Sequence, residues 1–107
     1  LKGLNVLLVE DSPDNQFLVK RFLTMEGAQV DIANNGVEGV HKAMNAKHDI
    51  VLMDIQMPYL DGMATAKFIR EEMKSTIPII ALTAFATKSD KEKAFSHGCA
   101  FFYELSC

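Results

Sequence analysis

The stretch Asn5–Asp11, NVLLVED, indicates the fold class, and a run of the same type recurs at Ile50–Asp54, IVLMD. In both, a short and uninterrupted apolar run ends in a carboxylate. An apolar run of this length without alternation predicts a strand buried on both faces, as in the parallel sheet of an α/β protein. The carboxyl ends of such strands share one edge of the sheet, where open α/β proteins bind their ligands.

Outward from these runs, short apolar strands alternate with longer amphipathic segments. The predicted strands are 5–9, 29–33, 50–53, 79–83 and 100–105, and the predicted helices begin at Ser12, follow Asn35-Gly36, and span 63–73 and 89–97. This alternation predicts right-handed crossovers and a parallel sheet with helices on both faces. The residues expected to pack the first three helices onto the sheet are Leu18, Val19, Phe22 and Met25, then Val37, Val40 and Met44, then Ala66, Phe68 and Ile69.

Composition and charge limit the classes of function. The chain has 107 residues, 49% of them hydrophobic, and a net charge of −3, which predicts one domain over residues 1–107. The acidic balance gives no electrostatic basis for binding nucleic acid or an anionic membrane, and no apolar run nears the ~18 residues of a membrane span. Without a signal-peptide pattern, the sequence predicts a cytoplasmic location. The cysteines and histidines lack metal-ligand spacing, and the histidines are expected on helix surfaces or in loops: Cys99, Cys107, His41, His48 and His97.

Carboxylates directly follow two of the predicted strands, and a hydroxyl ends another. Glu10 and Asp11 follow the first strand, Asp54 follows the third, and Thr83 ends the fourth. Three carboxylates at one edge repel each other unless a cation neutralises them, and an oxygen-only ligand set with open water positions suits Mg²⁺. Beside such an ion a carboxylate can act as a nucleophile, so the predicted chemistry is phosphoryl transfer to an aspartate. Taken singly, each acid is more typical of a turn or helix cap than of such a site, and only the three together favour the site.

Three motifs in order resemble those of response-regulator receiver domains. They are VEDSPDN at 9–15, MDIQMPYLDG at 53–62 and PIIALTA at 78–84, and the resemblance extends from about Leu4 to Gly98 with matching spacing. Three separate motifs at the right separations are a specific signal. The form Asp-Ile-Gln-Met-Pro at 54–58 is most similar to receivers attached to hybrid histidine kinases.

The resemblance implies a flavodoxin-like, doubly wound sheet of five parallel strands. It implies that Asp54 accepts a phosphoryl group from a phosphohistidine of a histidine kinase or a histidine phosphotransfer protein. Asp11, Asp54 and the backbone carbonyl of Gln56 would hold Mg²⁺, with Glu10 acting directly or through water.

The resemblance also implies a conformational switch at the same edge. Thr83 would move toward the phosphate, and Phe102, which occupies the family's switch-aromatic position, would rotate with it. The expected output face is therefore the fourth helix and the fifth strand. The isolated domain is not expected to be an enzyme, although a parent hybrid kinase would be one.

The carboxyl end departs from the family pattern in two ways. Leu105 stands where the family has a lysine that contacts phosphate, and the last helix of the family is absent from this chain. A parallel sheet needs cover on both faces. The sequence therefore predicts an open apolar face, formed by the run 100–103 and part of the first and third strands. Either the protein dimerises through this face or the natural chain extends beyond residue 107, and the alternative is a tail that folds back over the gap.

Three other interpretations remain open at this stage. A degenerate receiver would bind partners without being phosphorylated, and Leu105 favours it. A small phosphatase with an aspartyl nucleophile would carry a second aspartate two residues on, where this chain has Gln56. A flavin carrier on the same fold would need a loop rich in glycine or hydroxyl residues after the first strand, and none is present.

Overall fold

The computed structural model has a five-stranded sheet with the strand order β2-β1-β3-β4-β5, and every pairing is parallel. It describes residues 2–45, 47–54, 62–73, 75–83, 92 and 101–104. The elements are β1 (Asn5–Val9), α1 (Pro13–Met25), β2 (Gln29–Ala33), α2 (Gly36–Asn45), β3 (Ile50–Asp54), α3 (Gly62–Glu71), β4 (Ile79–Thr83) and β5 (Phe101–Glu104). This is the predicted doubly wound architecture. Of the predicted helix at 89–97, only Glu92 is among the described residues, and it is helical.

Helices pack on both faces of the sheet. Successive side chains of each strand point to opposite faces, so β1, β2, β3 and β4 each contribute to the packed clusters on both faces. On one face, Val6 and Leu8 of β1 pack with Leu23 of α1. On the other face, α2 and α3 cover the sheet, and Ile69 of α3 packs with Leu7 of β1. The expectation that part of the first and third strands would lie open is wrong, because residues 6–9 of β1 and 51–53 of β3 are buried.

Helix α1 has defined signals at both ends. Ser12 is the N-cap, Pro13 occupies the first turn, and the Ser12 hydroxyl accepts a hydrogen bond from the Asn15 N–H. At the other end Gly27 has a φ of 91°, and the Ala28 N–H donates to the carbonyl of Leu23 while the Gly27 N–H donates to that of Thr24. These two bonds form a Schellman motif, and they return the chain to the sheet as β2.

Of the four residues predicted to pack α1 onto the sheet, only Val19 does so. Leu18, Phe22 and Met25 are 65%, 62% and 77% exposed, whereas Leu23 is buried and Val19 packs beside it. Leu18 and Leu23 differ by five residues, or about 140° around the helix, so both cannot face the sheet. The same correction applies to three outward residues of α2 and α3: Val37, Met44 and Phe68.

Gly39 lets α2 lie close to β1. A Cβ atom added at Gly39 would lie 2.9 Å from the Val9 Cγ2 atom, closer than real carbon contacts allow. The separation of helix and sheet is therefore set by the absence of a side chain at this position.

None of the described helices is long and apolar enough to cross a membrane.

Candidate metal and phosphoryl site

The register of the sheet brings the acidic residues to the same level. Val9 of β1 pairs with Met53 of β3, so Glu10, the next residue, is level with Asp54. The N–H of Glu10 donates to the carbonyl of Ala33 at 3.0 Å, which continues the β1–β2 ladder by one step. The neighbouring strands therefore present their terminal acids side by side at the carboxyl edge.

Glu10, Asp11 and Asp54 form a compact cluster. One carboxylate oxygen from each lies within 4.8 Å of the others. Glu10 is buried, Asp54 is half-buried and Asp11 is exposed. The cluster therefore has a closed inner wall and an open outer side, a shape that admits a small cation together with ligands from solvent.

Burial raises the pKa of Glu10 from 4.5 to about 8. The next cause is a hydrogen bond to the Asp54 carboxylate, and the negative charge of Asp54 raises the pKa of Glu10 further. The Ser12 N–H, which donates to Glu10 Oε2 at 3.2 Å, lowers the pKa. Without a cation, the pair relieves its repulsion by keeping a proton on Glu10. A cation bound among these carboxylates would therefore reduce the electrostatic cost of ionising Glu10.

The remaining predicted site residues are placed only in part. Thr83 is the last residue of β4, one position beyond the Leu82 that pairs with Asp54, so its backbone lies at the same edge. Phe102 lies in β5 and pairs with Ala81. The side chains of Thr83 and Phe102 lie outside what the structure describes, as do Gln56 and Leu105 altogether, and their roles stay predictions.

Two polar residues beside the cluster were missed from the sequence. The Gln16 amide Nε2 donates to the backbone carbonyl of Glu10 at 2.6 Å and to Asn34 Oδ1 at 2.8 Å. Position 16 is four residues after the N-cap, so it lies on the same side of α1 as Ser12, and that spacing was the available signal.

One histidine, His48, lies in a loop as predicted but has a buried side chain. The side chain of His48 is 5% exposed, and its Nε2 lies 3.1 Å from Asp31 Oδ2. It lies next to Asp49, which accepts a hydrogen bond from the Asn5 N–H. His48 therefore lies in the loop between α2 and β3, as the sequence predicted, with its side chain buried near the amino edge of the sheet.

Comparison with known proteins identifies the family. Residues 6–102 match the response regulator receiver domain. The chain belongs to the receiver domain family. The match includes Glu10, Asp11 and Asp54, and it confirms the resemblance seen in the sequence.

Sensor proteins and hybrid histidine kinases are among the relatives of this chain. The receiver domain is 38% identical over 95 residues to sensor protein EvgS of Escherichia coli K12, covering 89% of this chain and 8% of that protein. It is 40% identical over 100 residues to hybrid signal transduction histidine kinase G of Dictyostelium discoideum, covering 90% of this chain and 3% of that protein. The chain thus spans a small fraction of the length of these relatives, and receivers of hybrid kinases are among its similar proteins, as predicted.

Solved structures share the fold and give a chemical comparison. The receiver domain of sensor histidine kinase PA1611 from Pseudomonas aeruginosa, solved with a magnesium ion coordinated in its active site cleft, has a TM-score of 0.85 and 36% identity, covering 95% of this chain and 84% of that chain. Response regulator TrrA of Thermotoga maritima, solved in complex with Mg²⁺ and BeF, has a TM-score of 0.86 and 31% identity, covering 99% and 88%.

Proposed function

We propose that this receiver domain accepts a phosphoryl group on Asp54 with the help of Mg²⁺ in a two-component phosphorelay. The observation that carries the proposal is the convergence of three carboxylate oxygens, from Glu10, Asp11 and Asp54, within 4.8 Å at the carboxyl edge of a parallel sheet. The half-buried Asp54 is the acid at the end of a central strand, where a nucleophile is held rigidly.

The residues present fit a hard divalent cation. All three side chains offer oxygen, and the raised pKa of Glu10 records the need for a positive charge among them. When bound, Mg²⁺ neutralises the acids and coordinates oxygens of the incoming phosphoryl group. Asp11, Asp54 and the Gln56 carbonyl are the proposed ligands, with Glu10 acting directly or through water. A cation that displaces the Glu10 proton leaves both central acids ionised.

The transfer step proposed is an in-line displacement at phosphorus. An oxygen of ionised Asp54 forms a bond to phosphorus, the P–N bond of a phosphohistidine breaks, and the imidazole nitrogen keeps the electron pair. Asp54 suits this role because a carboxylate at a strand end has little freedom to rotate away. The donor is a histidine kinase or a histidine phosphotransfer protein, and the receiver assists its own transfer without being an enzyme by itself.

The readout proposed passes through β4 and β5. Thr83 ends β4, and Phe102 lies in the neighbouring strand, so a phosphoryl group that attracts the Thr83 hydroxyl would open room for Phe102 to turn inward. A packing change with two arrangements can transmit a small local shift to the outer face of β5 and the segment before it. The place of action proposed is the cytoplasm, or the cytoplasmic part of a membrane-bound hybrid kinase.

Phosphorylation by a small donor tests the assignment of Asp54. Incubation with acetyl phosphate and Mg²⁺ should add one phosphoryl group by mass spectrometry. Asp54→Asn should abolish the addition, and the matched control Asp14→Asn, at an exposed aspartate of α1, should retain it. A phosphoryl adduct on the Asp54→Asn protein contradicts the assignment.

Titration with Mg²⁺ tests the metal site separately. Amide signals around Asp11 should shift in the wild-type protein, and Asp11→Ala should remove that response. An unchanged titration in Asp11→Ala places the ion elsewhere. A wild-type protein that binds Mg²⁺ yet is never phosphorylated supports the degenerate receiver, which the leucine at position 105 favours.

A further inference from the structure

The side chain of Gln16 connects three elements behind the acid cluster. Its backbone N–H donates to the Ser12 carbonyl at 2.9 Å, in the first turn of α1. Its side-chain Nε2 donates to the Glu10 carbonyl at 2.6 Å and to Asn34 Oδ1 at 2.8 Å. The amide therefore ties helix α1 to the end of β1 and to the loop that follows β2.

The hydrogen-bond partners set the orientation of both amides. Asn34 Nδ2 lies 3.3 and 3.2 Å from the two carboxylate oxygens of Glu38, which can only accept hydrogen bonds. The Oδ1 atom of Asn34 must then face Gln16, whose Nε2 donates both to it and to a carbonyl. The Lys42 ammonium, one turn further along the same helix, lies 3.7 Å from the Glu38 carboxylate and holds it in turn.

This network fixes the two peptide groups that meet at the Glu10 Cα atom, next to the site. The N–H of Glu10 bonds to Ala33, and its carbonyl bonds to Gln16, so Glu10 is held on both sides of its Cα atom. Because the peptide bond is planar, fixing the Glu10 carbonyl also fixes the N–H and the Cα direction of Asp11. The position of the Asp11 Cα atom is therefore set from behind by an amide that touches no reacting group, and only the φ and the side-chain torsions of Asp11 remain to place its carboxylate.

We infer that Gln16 is a positioning residue for the acid cluster, and that its bond to the Glu10 carbonyl raises the affinity for Mg²⁺ by holding Asp11 toward Asp54. The inference rests on the proposed function, in which those acids hold the ion. Its distinct content is that affinity depends on a neutral side chain of α1, oriented by Asn34, which is neither a ligand nor a contact of the phosphoryl group.

Gln16→Met tests this role, because methionine has a similar length and no amide donor. The Mg²⁺ dissociation constant, measured by calorimetry, should rise roughly three- to tenfold, the loss expected from one net hydrogen bond. The matched control is Gln29→Met, the same substitution at an exposed position at the opposite end of the sheet, and it should leave the constant unchanged. Thermal unfolding checks that both proteins are folded under the titration conditions.

A double-mutant cycle separates positioning from a general loss of stability. Asn34→Ala alone should weaken Mg²⁺ binding, and adding it to Gln16→Met should weaken binding no further, because the two amides act as one unit. Equal Mg²⁺ affinity in wild-type and Gln16→Met proteins overturns the inference. So does a fully additive effect of Asn34→Ala, which would mean that Asn34 does not act through Gln16.

An ion-free spectrum keeps the two proposals distinguishable. If the wild-type protein binds no Mg²⁺, the proposed function fails, and the positioning role is then judged without the ion. In that case the Asp11 amide signal should still move in Gln16→Met and stay in place in Gln29→Met. An unmoved Asp11 amide in Gln16→Met overturns the positioning role even in the absence of metal binding.

Discussion

Replacing Glu10 with glutamine should remove most of the pH dependence of stability of the ion-free receiver domain between about pH 5 and pH 8. Glu10 is 1% exposed, and its burial together with its hydrogen bond to Asp54 raises its pKa from 4.5 to about 8. The folded protein then holds a proton that the unfolded chain has released. The free energy of unfolding therefore falls as the pH rises through this window, the reverse of the usual behaviour of a paired carboxylate.

The magnitude follows from the two pKa values. A pKa difference of one unit is worth ~1.4 kcal/mol, so a rise from 4.5 to about 8 sets a ceiling of roughly 5 kcal/mol above pH 8. Most of this, roughly 3–4 kcal/mol, is lost between pH 5 and pH 8, a large part of the stability of a small domain. Glutamine should avoid the loss, because its amide can donate to Asp54 and accept from the Ser12 N–H as the protonated acid does.

Urea unfolding in the presence of a chelator, at a series of pH values, measures this difference. The Glu10→Gln protein should exceed the wild type in free energy of unfolding by an amount that grows with pH, because titrating groups common to both cancel. Glu26→Gln, at an exposed glutamate at the end of α1, is the matched control and should follow the wild type. Saturating Mg²⁺ should stabilise the wild type at pH 8 far more than Glu10→Gln. A constant difference between Glu10→Gln and wild type across the pH range would refute the reasoning.

Three further predictions concern packing and the carboxyl end. Gly39→Val should lower the free energy of unfolding by about 1–3 kcal/mol in a urea titration, because its Cβ would lie 2.9 Å from Val9 Cγ2, whereas Val37→Ala, at an exposed neighbour, should change it little. Leu105→Lys should strengthen binding of a phosphate analogue by supplying an ammonium, and unchanged binding would show that residue 105 does not face the pocket. Self-association through the apolar run 100–103, the part of the predicted open face that remains, should appear in sedimentation velocity. A clean monomer at high concentration that binds no hydrophobic dye contradicts this prediction.

Much of the architecture could be predicted because it depends on short-range pattern. Uninterrupted apolar runs such as the one within Asn5–Val9 are typical of strands buried on both faces, and their alternation with helical segments leaves few topologies. The cap residues Ser12 and Pro13 and the turn at Gly27 are local backbone signals. The acids follow strand ends along the chain, so their gathering at one edge follows from parallel pairing alone.

Long-range geometry decided what the sequence left open. The α1 sequence holds more apolar residues than one stripe can bury, and only docking on β1 and β2 selected Leu23 over Leu18. The raised pKa of Glu10 requires the register that sets it level with Asp54. The amide of Gln16 meets Asn34 only after β2 pairs with β1. Desolvation, charge and hydrogen bonding depend on which atoms lie within a few ångströms, and for residues far apart in the chain those distances exist only in the tertiary structure.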